Sequence, residues 1–253
     1  MKALLLAGGY GTRLSPLSDI FPKCMMPIHG RPLLDIWLDN LLSNPNIEKV
    51  LINTHAKSNF VNEYLLNSSW KNSIDIVHED QLLGTAGTIL ANKSYFDNKE
   101  FFVAHADNLS IFNMDSFIKS FNSKSKNIIM TMMLFKCDNP SLCGVVKLNA
   151  NNEVIEFHEK KNNPESNLAN AAVFIFDTKI FSILEELEND VMDISIDVIP
   201  KLINRINCFE NTTFHVDIGN ILSWNMANID WPNSDNNFEN RDVWKKLLEK
   251  NFL

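Results

Sequence analysis

LLLAGGYGTRLSPLSDIFPKCMMP, residues 4–27, is the stretch on which the reading of this chain turns. An apolar run from Ala3 to Ala7 is long enough for a buried strand. It stops at Gly8, Gly9 and Gly11, where missing side chains let the backbone come close to another group. Arg13 follows, and a second cation, Lys23, stands between Pro22 and Pro27. Exposed backbone N–H groups beside two cations suit a polyphosphate, because each of them favours an anion. The reading is a nucleotide-triphosphate loop at the end of the first strand. On the glycines alone, a tight turn carrying two surface cations is the alternative.

Neither of the common phosphate fingerprints is present: there is no G-x-x-x-x-G-K-[ST], and no G-x-G-x-x-G opens a helix. What stands in the chain is GGYGTRL followed by PKCMMP. This pair resembles the signature of the sugar-1-phosphate nucleotidyltransferases, GG-x-GTRL-x-P-L-T and then PK-x-x-x-P. Ser18 replaces the usual Thr.

Composition sets the outer bounds. A chain of 253 residues allows one large α/β domain or two small ones. Hydrophobic content of 45% and charged content of 21% are ordinary for a globular protein. The net charge of −8 argues against nucleic acid or an anionic membrane as the main partner, while local cations still allow a nucleotide. No apolar stretch approaches the length of a membrane span, and a cytoplasmic location is expected. Cys24, Cys137, Cys143 and Cys208 are scattered without a C-x-x-C or a nearby His at zinc spacing, so free buried thiols in a reducing cytoplasm are expected.

Strand-like and helix-like segments alternate through the first half. Leu33, Leu34, Trp37, Leu38, Leu41 and Leu42 recur at helical spacing, with Asp35 and Asp39 on the other face. Strands are expected at Lys49 to Asn53, Ile74 to His78 and Glu100 to Ala104, and helices at Asn59 to Asn67 and Thr85 to Ala91. Such βαβα order predicts a right-handed, largely parallel sheet with ligands outside the carboxyl ends of its strands. The second half reads as strands at Asn127 to Phe135 and Ala171 to Phe176, with a hairpin around the Asn149 to Asn152 turn. Helices are expected at Lys179 to Leu187 and Ile196 to Asn204, the latter interrupted by Pro200. A strand near Thr213 to Ile218, an exposed loop at NSDNN (233–237) and a terminal helix at Asp242 to Phe252 complete the pattern.

Further motifs follow in the order of the same family. LGTAG, within Glu79 to Gly87, resembles the base-binding loop of its guanylyltransferase branch, that of the mannose-1-phosphate guanylyltransferase-like enzymes. Small residues there would let a flat base lie against the backbone, although a tight helix N-terminus has the same sequence. Asp107 resembles the family's strand-end metal aspartate. Asp217, in Val216-Asp217-Ile218-Gly219, resembles the second, in W-x-DIG, with Phe214 or His215 in place of Trp. Gly144-Val145-Val146 resembles YGVV with Cys143 for the tyrosine, and Glu159-Lys160 resembles EKP with Lys161 for the proline. Asn170-Ala171-Ala172 resembles N-A-G, with a methyl group where the family has none. His55, His78 and His105 are not spaced as a metal cluster.

The resemblance implies an α/β fold of the nucleotide-diphospho-sugar transferase type: a Rossmann-like, mixed, mostly parallel central sheet flanked by helices. No hexapeptide repeat marks the C-terminal β-helix that family members often carry. A catalytic domain over 1–226 is expected, with a nucleotide-binding half at about 1–125 and a sugar-binding half at about 126–226. A tail at 227–253 would pack a helix on it. Nucleotide contacts are implied from Leu6, Ala7, Gly8, Gly9, Gly11, Thr12, Arg13, Lys23, Glu79, Gly84, Thr85, Ala86 and Asp107. By the same resemblance Arg13 and Lys23 would carry the catalytic charge, and Asp107 and Asp217 would hold Mg²⁺. Gly144, Glu159, Lys160, Asn170 and Ala171 are implied to bind the sugar phosphate. The implied reaction joins a nucleoside triphosphate, GTP by the LGTAG resemblance, to a sugar 1-phosphate with loss of pyrophosphate. A thymidylyl-, uridylyl- or cytidylyltransferase, or a non-catalytic sensing subunit, is the rival reading. A homo-oligomer is left open.

Overall fold

The computed structural model describes residues 1–187, 189–232 and 237–252. All but Asn237 of the loop expected at NSDNN lies outside the described residues. The chain forms two compact units. One comprises Lys2–Gln81, His105–Leu109 and Val216–Leu253; the other comprises Met1, Leu82–Ala104 and Ser110–His215. The class is α/β, with a mixed sheet flanked by helices.

The unit that holds the glycine loop is built on three parallel strands, Lys2–Leu6, Lys49–Thr54 and Ile74–His78. The first is apolar and almost wholly buried, as a parallel strand covered on both faces must be. Register places Leu6 beside Asn53 and Asn53 beside Val77, so the carboxyl ends of the strands align. Helices Leu33–Leu42 and Ser58–Asn67 connect them. Leu33, Leu34, Trp37, Leu38 and Leu41 are buried, each contributing about 1.5–3 kcal/mol of apolar transfer.

Asp35, expected on the polar face of that helix, is instead fully buried. It accepts from Arg31 Nε (2.7 Å), Tyr64 Oη (2.6 Å), Trp70 Nε1 (3.0 Å) and Asn240 Nδ2 (2.9 Å). Burial, and then the Asp35 charge, push the Tyr64 hydroxyl well above its ordinary pKa, which keeps it a donor. The terminal helix Arg241–Phe252 packs Trp244 edge-on to Tyr64 at a ring separation of 6.0 Å.

In the other unit, Leu168–Phe176 pairs antiparallel with both Phe101–His105 and Met130–Lys136. Gly144–Leu148 and Val154–Glu159 form the expected hairpin, with the Asn152 N–H donating to the Asn149 carbonyl in the turn. Ile206–Glu210 adds a parallel strand beside Met130–Lys136 that the sequence reading did not anticipate. The helix expected at Ile196 to Asn204 is a π turn, Ile194–Val198, followed by a 3-10 turn, Ile199–Leu202. Pro200 has no N–H to give and its ring crowds the preceding turn, so an α-helix does not continue through it. Among the described residues no helix is long and apolar enough to cross a membrane.

Candidate active site

The glycine loop is anchored at its root by strand-end polar groups. The Ala7 N–H donates to Asn53 Oδ1 (2.7 Å), and Asn53 Nδ2 donates to Glu79 Oε1 (3.1 Å). Glu79 is buried and its own N–H donates to the Thr54 carbonyl. Its carboxylate therefore positions Asn53. Higher on the loop, His55 Nδ1 lies 2.7 Å from the Glu79 carbonyl, which can only accept, so Nδ1 carries the proton. In the neutral ring Nε2 accepts from Tyr10 Oη at 2.7 Å. Asn53, His55 and Tyr10 thus tie down the loop; the sequence set His55 aside from any metal cluster and gave Asn53 and Tyr10 no role. The available signal was a polar residue closing the apolar run Val50-Leu51-Ile52.

Beyond the strand, Gly8 is buried and Gly9 exposed, and Thr12 and Arg13 lie exposed on the 3-10 turn Thr12–Leu14. Gly11 has φ +65°, and a Cβ there would sit 3.0 Å from the Cβ of Lys23. Both the left-handed backbone and this close approach require glycine. Lys23 opens the buried 3-10 turn Lys23–Met25 and is only 9% exposed. Its ammonium donates to Asp107 Oδ2 and lies 3.9 Å from Asp217 Oδ1. The Ile218 N–H donates to the Asp107 carbonyl (3.2 Å), which holds the two aspartate segments together. A Cβ at Gly219 would lie 2.9 Å from Asp217 Oδ2 and 3.6 Å from Arg13 Nη2, so the bare glycine leaves room for this charge cluster.

The electrostatics follow from the geometry. Desolvation alone would raise the Asp107 carboxyl, but the Lys23 ammonium, helped by His105, outweighs it and holds Asp107 below the usual range. Desolvation, and then the like charge of Asp107, push Asp217 up despite Lys23 and Arg13. Asp217 thus feels the like charge of Asp107 even with Lys23 and Arg13 as the cations beside it.

Asp107 Oδ1 is buried without a hydrogen-bond partner, as is His105 Nε2. A hard divalent cation fits the two aspartates: the donors are carboxylate oxygens, one of them an orphaned buried atom, and the like charge of Asp107 bears on Asp217. Among the described residues no three His, Cys, Asp or Glu side chains converge as a metal cage. Such an ion would complete its coordination with phosphate oxygens and water.

LGTAG occupies the start of the helix Gly84–Ala91. Gly84 has φ +77°, and a Cβ there would meet the Met192 carbonyl oxygen at 2.3 Å. The N–H groups of Ala86 and Gly87 donate to that carbonyl (2.9 and 3.3 Å). Thr85 Oγ1 donates to Asp193 Oδ2 (3.1 Å) and accepts from the Ile194 N–H (2.8 Å). The small residues thus dock the 192–194 segment onto the helix start, and those N–H groups are engaged within the chain.

Gly144 pairs with Glu159 across the hairpin, and a Cβ on Gly144 would lie 2.5 Å from Glu159 Oε2 and 2.6 Å from the Phe157 ring. The glycine lets the Glu159 carboxylate lie flat on the strand. Lys160, at φ +49°, pairs with Glu159 at 3.4 Å and is largely exposed. Asn170 and Ala171 stand on another strand, Leu168–Phe176, where the register shifts between Asn170 and Phe174. Asn170 Oδ1 accepts from the Ala172 N–H (2.9 Å), which leaves the amide N–H₂ as the group it can offer a ligand. Ala172 has φ +51°, which explains physically why glycine suits this place.

The fold is a parallel α/β unit that sets a glycine loop over a lysine held against two aspartates. The chain belongs to the sugar-1-phosphate nucleotidyltransferase family: the nucleotidyl transferase family model matches residues 2–233. The Methanococcus aeolicus "Bifunctional protein GlmU" is 34% identical over 87% of this chain and 51% of its own length. A "putative mannose-1-phosphate guanyltransferase" of Sulfolobus acidocaldarius is 29% identical over 82% of this chain and 56% of its own. The chain spans about half the length of the curated relatives it matches. Among solved structures, a putative glucose-1-phosphate thymidylyltransferase from Bacillus anthracis has a TM-score of 0.80 at 22% identity, over 96% of this chain and 99% of that one. HddC from Yersinia pseudotuberculosis, complexed with GMP-PN, has a TM-score of 0.75 at 24% identity, over 91% and 99%. These likenesses describe the fold.

Proposed function

We propose that this chain catalyses nucleotidyl transfer from a nucleoside triphosphate, GTP by preference, to a sugar 1-phosphate such as mannose 1-phosphate, releasing pyrophosphate. The observation that carries the reading is Lys23 held against Asp107 and Asp217 and in contact with the glycine loop at Gly11, with Arg13 acting on the same Asp217. An oxygen of the sugar phosphate attacks the α-phosphorus in line. That oxygen is already ionised near neutral pH, since the second pKa of a phosphate monoester is about 6, and no general base is required. Catalysis is then positioning and charge neutralisation.

In this mechanism Lys23 neutralises the α-phosphate, Arg13 holds the leaving phosphates, and the Leu6 to Thr12 backbone lies along them. Asp107 and Asp217 would hold Mg²⁺, which supplies further neutralisation of phosphate oxygens. Glu79 acts through Asn53, keeping the loop root in place. Gly84, Thr85 and Ala86 shape the place for the base. Glu159, on the Gly144 edge, reads sugar hydroxyls, Lys160 draws in the sugar phosphate, and Asn170 and Ala171 complete the sugar contacts.

The guanylyl preference rests on the LGTAG resemblance and on the Sulfolobus acidocaldarius relative. Uridylyl or thymidylyl transfer is the second reading, because the Ala86 and Gly87 N–H groups are engaged by the Met192 carbonyl and so do not serve to read guanine. Pyrophosphate release is measured with each of the common triphosphates against a panel of sugar 1-phosphates. The expected result is turnover with GTP that EDTA abolishes and added Mg²⁺ restores. Turnover confined to UTP or dTTP establishes the second reading. Triphosphate binding without pyrophosphate release from any pair overturns both.

A further inference from the structure

Two of the cysteines, expected to be scattered, come together. Cys137 follows the strand Met130–Lys136 and Cys143 precedes Gly144–Leu148, and their sulfurs are 3.1 Å apart. A disulfide needs the sulfurs only about 1 Å closer, at roughly 2.05 Å. Both cysteines are held by their backbones. The Cys137 N–H donates to the Asn167 carbonyl (2.9 Å), the Cys143 N–H to Pro140 (3.2 Å), and the Cys143 carbonyl accepts from Lys160 (3.1 Å). The connection between them is a surface turn around Pro140–Leu142, with Leu142 71% exposed. Both residues are partly exposed, whereas Cys24 and Cys208 are buried and their thiols pushed up to about 12, Cys24 by burial and then by Asp107, Cys208 by burial.

We propose that Cys137 and Cys143 are a thiol-modification site: a dithiol that low-molecular-weight disulfides convert reversibly to an internal disulfide. A thiolate of the pair attacks the small disulfide, expels one small thiolate and leaves a mixed disulfide on the protein. The neighbouring thiolate attacks the protein-side sulfur, forms the Cys137–Cys143 bond and expels the second small thiolate. Two electrons pass from the cysteines to the small disulfide, and the two cysteine protons end on the two departing thiols. The bond closes the 138–142 turn into a ring. It also fixes the Cys143 carbonyl that holds the Lys160 N–H, just past the end of the strand Val154–Glu159. In a reducing compartment such a bond is a transient, redox-sensing one. The inference does not depend on the proposed activity.

The test incubates the whole chain with oxidised glutathione, quenches with acid, alkylates after denaturation and measures intact and peptide masses. Loss of two hydrogens is expected, with Cys137 linked to Cys143, Cys24 and Cys208 alkylated, and full reversal by dithiothreitol. C137S and C143S, checked for an unchanged melting temperature, should each stop at one glutathione adduct on the remaining partner. Four unmodified thiols, stable glutathione adducts on the wild type, or a bond involving Cys24, Cys208 or a second chain would overturn the proposal.

Discussion

Lys23 and Lys160 carry the same charge in opposite surroundings. Lys23 is buried, follows Pro22, and faces two aspartates that arrive from distant parts of the sequence. Lys160 projects from a hairpin end with its side chain 67% exposed and one neighbouring carboxylate, Glu159. An exposed pair of that kind contributes about 0–1 kcal/mol and is screened by salt. A buried one cannot lose a partner without leaving an uncompensated charge, at a cost of about 3–5 kcal/mol. Under the proposed function the difference is a division of labour: the buried loop cluster would serve charge neutralisation, and the exposed Lys160–Glu159 pair would serve recognition.

The contrast is open to attack from both sides. Gly11→Ala places a methyl 3.0 Å from the Lys23 Cβ at a left-handed φ, and should displace Lys23. Since misplacement by about 1 Å costs roughly 10²-fold in rate, kcat should fall by about that factor with little change in the sugar-phosphate KM. Steady-state kinetics read both constants. Gly144→Ala should do the reverse. A methyl in the place of the Glu159 carboxylate should raise the sugar-phosphate KM by about 10-fold, the loss of about 1.4 kcal/mol of uniform binding, and leave kcat near wild type. An equal loss of kcat from both variants would erase the distinction between the two regions. Tyr10→Phe removes the hydroxyl bonded to His55 and should raise the triphosphate KM about 2- to 5-fold, the worth of one hydrogen bond at about 0.5–1 kcal/mol. Ala172→Gly relieves the left-handed backbone and should stabilise the chain by about 1 kcal/mol in urea unfolding.

Lys2–Leu6 and Lys49–Thr54 were legible because each is a largely buried apolar run closed by small or polar residues, and Ile74–His78 because its residues alternate as in a strand end. Lys2–Leu6, Lys49–Thr54 and Ile74–His78 all lie within a residue or two of the expected bounds. Ile206–Glu210 was not legible: it is short, and its place beside Met130–Lys136 is a fact of tertiary pairing. The helix Ile221–Asp230 escaped notice because Leu222 and Ile229 are exposed, so no clean apolar face marks it. In the site, motif order put Arg13, Lys23, Asp107 and Asp217 forward, and the structure places Lys23 beside both aspartates and Arg13 near Gly219. Sequence could not give the Asn53 to Glu79 link, the docking of Met192 on Gly84, or the approach of Cys137 to Cys143. Each of these is a contact between segments whose local patterns are silent about one another.

The most direct test is pyrophosphate release by Lys23→Ala and Asp217→Ala, with saturating GTP, mannose 1-phosphate and Mg²⁺, alongside circular dichroism to confirm folding. If the cluster neutralises the transferring phosphate, each folded variant should lose about 10²–10³-fold in kcat, the scale seen when one preorganised electrostatic group is removed. Near wild-type turnover from either folded variant would contradict the account.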